Sequence, residues 1–528
     1  MISASAIRGL RGREELARLR RGIEKESLRV TPRGTLAATP HPPALGSTLT
    51  HPHITTDFSE AQPELITGVY ESAAACIAEL EDIHRFVYHH LGDESLWAAS
   101  MPCALTADED IPLGRYGESH IGRMKTIYRR GLGHRYGRVM QTISGIHYNF
   151  SVPESLWPVI ARARSETADA DTPTRAYFDL IRNFRRDSWL LIYLFGASPA
   201  VCASFVRGRP HGLQRLDEST FYQPHATSLR MGPLGYQSSA QSSLHVSYNS
   251  LADYSETMWQ ALTTPFPPFE AIGLRDADGD YRQLGTALLQ IENEFYGPIR
   301  PKRRTRTGEQ PLAALNERGV EYVEVRCLDL DPFLPAGIDA ATSRFLDAFL
   351  LACLLRDSPP DSPEESLRIQ ANQRDVVGRG RDPDLLLDDG GGSVSCRAWA
   401  SRTLDECAAV SNLIDEVTGS DEAGAAVDAQ RQKVASPELT PSARVLESLR
   451  EANTSYFRFA LNQSAAHKAY FRESSLPEER MAFFDRLSRE STAEQAHREA
   501  GEHETFDEYF ARARKGYEQA PAPVARRA

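Results

Sequence analysis

Glu24 and Glu26 are two residues apart, so a strand through IEKESLRV projects both carboxylates from the same face. In TTDFSEAQPELIT, Asp57, Glu60 and Glu64 fall at i, i+3 and i+7, one stripe if the segment is helical, with Pro63 against a continuous helix. In GVEYVEVRCLDLDP, alternation gives Tyr322, Glu324 and Arg326 one face and Val323 and Val325 the other. In GIHYNFSV, Ile146, Tyr148, Phe150 and Val152 alternate with His147, Asn149 and Ser151, a half-buried strand with His147 on its polar side. Acids converging with one imidazole make a donor set for a divalent cation. Mg²⁺ prefers about six oxygen ligands at about 2.0–2.1 Å and keeps several waters, so a few carboxylates plus substrate phosphates complete its shell. Taken singly, each acidic pair is more often a solvated face, and His147 a hydrogen-bonded strand residue; only convergence makes them a site.

The run IRPKRRTRTGE places Arg300, Lys302, Arg303, Arg304 and Arg306 close together, suited to triphosphate oxygens but equally to a solvated loop or a nucleic-acid patch. No GxxxxGK[ST], GxGxxG, GxSxG or HExxH pattern occurs, so a nucleotide must be held by another device.

The elements that would carry these residues are mixed. Helical spacing predicts helices over 10–22, from about Thr55, over 71–92 and over 173–195, while alternation predicts strands within 139–152, 243–249, 286–296 and 320–328. Residues 31–53 read as loop and turns. Without a regular strand-helix-strand repeat, the fold class is α+β with a largely antiparallel sheet. From about residue 356 the chain is turn-rich and then mostly helical; the expected division is a catalytic core over 1–355 and a helical part over 356–528, packed on the core and ending in a loose tail.

The 528 residues are 41% hydrophobic and 25% charged, which excludes disordered and collagenous classes. A formal charge of −12 disfavours nucleic acid and anionic membranes as partners. Seven scattered cysteines, never two residues apart, argue against a disulfide framework or a zinc ribbon and for a reducing cytosol. The first 26 residues have no apolar core of a secretory signal. The uncharged stretch Ser188–Val206 is broken by Gly196 and Pro199, so a buried helix and turn is expected instead of a membrane span.

Seven blocks in order, IEKESLRV, THPHITTDFSEAQPELIT, QTISGIHYNFSVP, YLFGASPAVCASF, HATSLRMGPLGY, LQIENEFYGPIRPKR and GVEYVEVRCLDLDPF, resemble glutamate-cysteine ligase (γ-glutamylcysteine synthetase) of the monofunctional bacterial type. The resemblance covers about residues 20–350 and becomes diffuse beyond. It implies a glutamine-synthetase-like fold, a curved sheet whose concave face holds ATP, Mg²⁺ (or Mn²⁺) and glutamate. By motif match, Glu24, Glu26, Asp57, Glu64, His147 and Glu324 fall on metal or metal-phosphate positions. Arg326 falls near the transferred phosphate and Arg230 on a position that binds the reacting substrate, while Lys302 and Arg303 are the nucleotide contacts expected from the basic run. Tyr128, Tyr236 and Tyr296 match a cysteine pocket, and Glu60 carries no assigned role. Gly297 replaces the family's small residue in that block and is expected to alter fit, not reaction type.

The resemblance implies ATP-dependent joining of the glutamate γ-carboxylate to the cysteine amine through γ-glutamyl phosphate, the first step of glutathione synthesis. Feedback by glutathione, a monomeric cytoplasmic enzyme and the lack of the ATP-grasp extension of bifunctional relatives are further implications. The alternatives are the same ligase chemistry with another amine acceptor, or a non-catalytic nucleotide- or metal-binding regulator.

Overall fold

The computed structural model describes residues 1–518 apart from 236–239, 242–243 and 307, so Tyr236 lies outside the described residues. Its centre is a six-stranded antiparallel sheet built from β1 (Arg20–Glu26), β2 (Ile54–Thr56), β3 (Pro63–Ile66), β4 (Ile146–Ser151), β5 (Ile299–Lys302) and β6 (Tyr322–Leu328), in the order β5-β6-β4-β1-β3-β2. The strand register positions the polar face. Glu24 lies opposite His147 and Ile66, and Glu26 opposite Glu64. Glu324 lies between Arg300 on β5 and Asn149 on β4.

The period of two then assigns the faces. Ile23, Leu65, Ile146, Tyr148, Phe150, Ile299, Val323 and Val325 are buried on the opposite side, in the largest apolar cluster. Fully burying such a side chain contributes about 1.5–3 kcal/mol, so this face holds the sheet together and leaves the other one available for charge. It is covered by helices, among them α1 (Ala73–His90), α3 (Thr172–Phe195) and α4 (Ala340–Leu355), whose apolar side chains join that cluster, whereas α2 (His120–Tyr136) contributes none to it. Ser72 caps α1 by accepting from the Ala75 amide. Beyond α4, α5 (Pro363–Arg379) packs on α3, and α6 (Cys396–Thr418) and α7 (Glu422–Ala435) pack on α4.

The alternating segments around His147 and Glu324 are strands, and the helices expected over 71–92 and 173–195 are α1 and α3. Four expectations are corrected. The helix expected from Thr55 is a strand-turn-strand: Ile54 pairs with Leu65, both fully buried, and Pro63 has no N–H to continue a helix. The helix expected over 10–22 is a short 3₁₀ turn, Glu14–Arg18, because β1 already begins at Arg20. Neither 243–249 nor 286–296 forms a strand among the described residues. In the second segment side chains take the place of a ladder: the Gln290 amide donates to the Glu294 carboxylate (2.7 Å) and the Tyr296 amide to Gln241 (3.0 Å). Finally, Cys103 and Cys202 form a disulfide with Cα atoms 5.3 Å apart, joining the loop after Trp97 to the short strand Ala200–Cys202. Two cysteines 99 residues apart give no spacing signal. Ser188–Val206 is the end of α3 followed by that strand and a turn of helix, and no described helix is long and apolar enough to cross a membrane.

Candidate active site

β1 supplies Glu24 and Glu26, β3 Glu64, β4 His147 and Asn149, β5 Arg300 and Lys302, and β6 Glu324 and Arg326, all on the face away from the apolar core. One donor atom each from Glu24, Glu64 and His147 lie within 4.8 Å of one another. His147 Nδ1 is 3.3 Å from Glu24 Oε2, and its Nε2 is 3.6 Å from Glu26 Oε1. Asn149 Nδ2 donates to the other Glu24 oxygen (2.9 Å), which fixes that carboxylate from two sides. A hydrogen bond from Nδ1–H to Glu24 leaves the lone pair of Nε2 outward, and Nε2 is buried with no hydrogen-bond partner.

The electrostatics divide the cluster in two. Burial pushes Glu26 up to about 8, and the Asp57 carboxylate adds to it. Burial and then the charges of Glu24, Asp57 and Glu26 hold Glu64 well above the usual carboxylate range. Burial also opposes ionisation of Glu24 and Glu324, yet both end below that range. The His147 hydrogen bond does most of this for Glu24; Lys302 and then Arg326 do it for Glu324. Lys302 Nζ is 3.3 Å from Glu324 Oε1, and an Arg326 nitrogen is 3.1 Å from Oε2. Burial and Arg326 keep His147 below its ordinary value, hence neutral and able to act as a ligand. A crowded, uncompensated acidic half beside a neutralised one fits a divalent cation on the first, with a hard-oxygen and imidazole donor set.

Asp57 lies in the turn between β2 and β3. Arg129 of α2 donates to its carbonyl, as does the Tyr116 hydroxyl (2.8 Å), so the turn is fixed through its backbone while the carboxylate acts on Glu26 and Glu64. Glu60 instead ties loops together, accepting from the His41 and Arg115 amides. Arg230 is fully buried: it donates to the Arg326 carbonyl (3.0 Å), lies 3.6 Å from Asp329, and rests against Gly145. A Cβ at Gly145 would stand 2.0 Å from the Arg230 guanidinium, and the Gly145 amide donates to Glu26 (2.8 Å). Arg303 is turned away, donating to the Arg318 and Gly319 carbonyls, so it is not brought to the acidic face.

Tyr296 is held by Gln141, whose amide donates to its hydroxyl (3.0 Å), and by an edge contact with Tyr136. Tyr128 is close enough to Tyr296 and Glu294 for both to raise its hydroxyl well above the ordinary value, after burial. Beneath them Arg135 and Glu294 form an ion pair at 2.8 Å with both side chains fully buried, and Tyr136 donates to the same Glu294 oxygen (2.8 Å). Sequence reading missed Gln141, Arg129, Arg135, Glu294 and a role for Asn149; only Asn149 carried a signal, its shared strand face with His147.

A family model for glutamate-cysteine ligase matches residues 6–376. The glutamate–cysteine ligase of Pseudomonas putida is 52% identical over 487 residues, 92% of this chain and 93% of that protein. That of Alcanivorax borkumensis is 50% identical over 501 residues, 94% and 95%. The crystal structure of a glutamate–cysteine ligase from Francisella tularensis in complex with AMP superimposes with a TM-score of 0.89 at 38% identity, covering 95% of this chain and 98% of that one. A bifunctional glutathione synthetase from Pasteurella multocida shares the fold, with a TM-score of 0.70 at 24% identity over 91% of this chain and 57% of that one.

Proposed function

The chain belongs to the glutamate-cysteine ligase family, and from that premise we propose how its acidic face carries out the reaction. The enzyme is an ATP-dependent ligase that joins the γ-carboxylate of glutamate to the amine of cysteine, in glutathione biosynthesis. The observation that carries the residue assignment is the meeting of Glu24, Glu64 and His147 within 4.8 Å on the face that also bears Glu324 and Arg326.

A carboxylate is a poor acylating agent because oxide would have to leave. ATP therefore converts the glutamate γ-carboxylate into an acyl phosphate, from which phosphate departs as the cysteine amine attacks. Phosphoryl transfer needs positioning and charge neutralisation more than covalent help. Glu24, Glu64 and His147, with Glu26, Asp57 and Glu324 around them, are the residues that would hold Mg²⁺. Bound there, Mg²⁺ supplies charge neutralisation between the carboxylates and the triphosphate. Arg326 and Lys302, aligned by Glu324, are the cations for the moving phosphoryl group. Arg230 acts from behind, holding the Arg326 backbone and the Gly145 turn. Tyr128 and Tyr296 bound the cysteine pocket, with Gln141 orienting Tyr296. A cytoplasmic monomer under glutathione feedback completes this proposed reading.

ADP release with ATP, Mg²⁺ and glutamate, measured in turn with cysteine, ammonia and other amines, tests the acceptor; equal turnover with ammonia and cysteine would defeat it. Glu324→Gln is expected to fold normally and lose at least ~100-fold in kcat, as removal of one key charge contact does elsewhere; near-normal turnover would remove Glu324 from the site.

A further inference from the structure

Among the described residues the final helix is α8 (Phe506–Glu518), which lies beyond the part of the chain that the family model matches. It is nevertheless anchored to the two elements that bear Tyr128 and Tyr296. Phe506 and Phe510 are buried in an apolar cluster with Ile127 of α2, Tyr281 and Leu284, and Tyr128 packs against that cluster. Arg123 of α2 stands 4.0 Å from the centre of the Phe506 ring, a cation–π contact. In the last turn of α8, where helix carbonyls lack intrahelical partners, Trp259 Nε1 donates to the Tyr517 carbonyl (3.1 Å). The end of the helix is thus held in a fixed place.

From that place the Tyr517 side chain reaches inward. Its hydroxyl donates to Glu292 Oε2 (3.1 Å), and the other Glu292 oxygen accepts the Leu312 amide (3.1 Å). Glu292 is buried, and burial raises its carboxyl above the ordinary range. It opens the 3₁₀ turn Glu292–Glu294, its carbonyl accepts the Phe295 amide (3.2 Å), and Tyr296 follows directly. Through Leu312 the same carboxyl meets the first turn of the helix Pro311–Arg318, which leads into β6. Tyr128 is close enough for its hydroxyl to act on that of Tyr517, after burial and Glu292. A buried acceptor that loses its donor must be resolvated or re-paired, so the segment carrying it moves. Deleting the Tyr517 hydroxyl strands Glu292 Oε2 at the root of the Tyr296 turn.

We propose that Tyr517 is a positioning residue for the acceptor side of the reaction: through Glu292 it fixes the 292–296 turn, and with it the place of Tyr296 relative to Tyr128. This rests on the ligase reading above, in which those two tyrosines bound the cysteine pocket, and it gives a helix of the C-terminal part a role in substrate use.

The test follows ADP release by the full-length enzyme with Mg²⁺ and ATP, varying cysteine and glutamate in turn. The variants are Tyr517→Phe, Glu292→Gln, the two combined, and Asp507→Asn. Phe keeps the ring and removes one hydrogen bond, worth about 3- to 10-fold. The expected result for Tyr517→Phe is a KM rise of that size for cysteine, with kcat and the KM values for glutamate and ATP within about twofold. In the Glu292→Gln background, where Oε2 has become an amide nitrogen, Tyr517→Phe should add less than about twofold, because residues acting through one bond are not additive. Asp507 holds Arg275 (2.7 Å) and the Tyr281 hydroxyl (2.8 Å) at the other end of α8, so Asp507→Asn loosens the same helix without touching Glu292. Its cysteine KM should stay within about twofold. An unchanged cysteine KM in Tyr517→Phe, equal rises for cysteine and glutamate, full additivity in the combined variant, or an equal rise in Asp507→Asn would overturn the proposal. If the unaltered enzyme released no ADP with cysteine, or Tyr296→Ala left the cysteine KM unchanged, the underlying reading of the reaction or of its pocket would fall instead, and the two failures are thereby told apart.

Discussion

Glu26 and Glu64 are direct cross-strand partners, two acids facing each other across β1 and β3. Like charges so placed are ordinarily destabilising. Burial and neighbouring carboxylates push Glu26 up to about 8 and Glu64 well above its usual range, so without a cation the pair keeps its protons. Glu64→Gln, an amide in place of a protonated acid, is expected to leave the melting temperature in chelator unchanged or slightly higher. The gain on adding Mg²⁺, which for a bound ion at 100 Kd is about 2.7 kcal/mol, should be largely lost, together with turnover. A variant that keeps the full Mg²⁺ gain would take Glu64 out of the cation site.

Arg135 and Glu294 supply a second relationship that can be measured. Removing one partner of a fully buried pair strands the other, at a cost of about 3–5 kcal/mol, whereas replacing both is far milder. Arg135→Met should therefore strongly lower stability in urea unfolding, and Arg135→Met with Glu294→Gln should recover much of the loss. Because Glu294 also receives the Tyr136 hydroxyl, and Tyr136 packs edge-on to Tyr296, the double variant should still bind cysteine more weakly than glutamate relative to the parent enzyme. Simple additivity of the two single effects would show that the pair is not coupled.

Acid sensitivity has a definite source away from the acidic face. Burial lowers His51 to about 4, helped by His53 and His41, and its Nδ1 accepts the His53 and Ile54 amides at 3.0 Å. Burial likewise takes His41 and His467 to about 4. Unfolded histidine titrates near 6.5, so between about 4 and 6.5 the unfolded chain binds more protons, and stability rises with pH. The contribution of each is present above about 6.5 and lost as pH falls toward 4, on the order of 3 kcal/mol for a shift of this size. Unfolding free energy measured from pH 4 to 7 should have a slope that drops by about one proton in His51→Asn. An unchanged slope would mean that His51 is already charged in the native protein.

The two strands most readable in the sequence are those with one buried face. Tyr148 and Phe150 against His147 and Asn149, and Val323 and Val325 against Glu324 and Arg326, obey a period of two because burial enforces it. Asp57 and Glu64 misled because i and i+7 also fit a strand, a turn and a strand, and only the burial of Ile54 against Leu65 decides between them. Arg135 with Glu294 and Cys103 with Cys202 leave no local trace, since each pairs residues far apart in the chain. The Asp57 turn illustrates the same limit: its position depends on Arg129 from a helix that lies beyond it.

β1 ends at Glu26, and β6, which completes the face through Glu324, is finished only at Leu328. A ribosome emitting this polypeptide therefore releases Glu24 and Glu26 long before Glu324 and Arg326, and pairings of such wide separation form slowly. Shortened products ending before β6 would hold Glu24, Glu26 and Glu64 without Glu324 and Arg326, so partial synthesis should yield no fractional catalyst, only an all-or-nothing one.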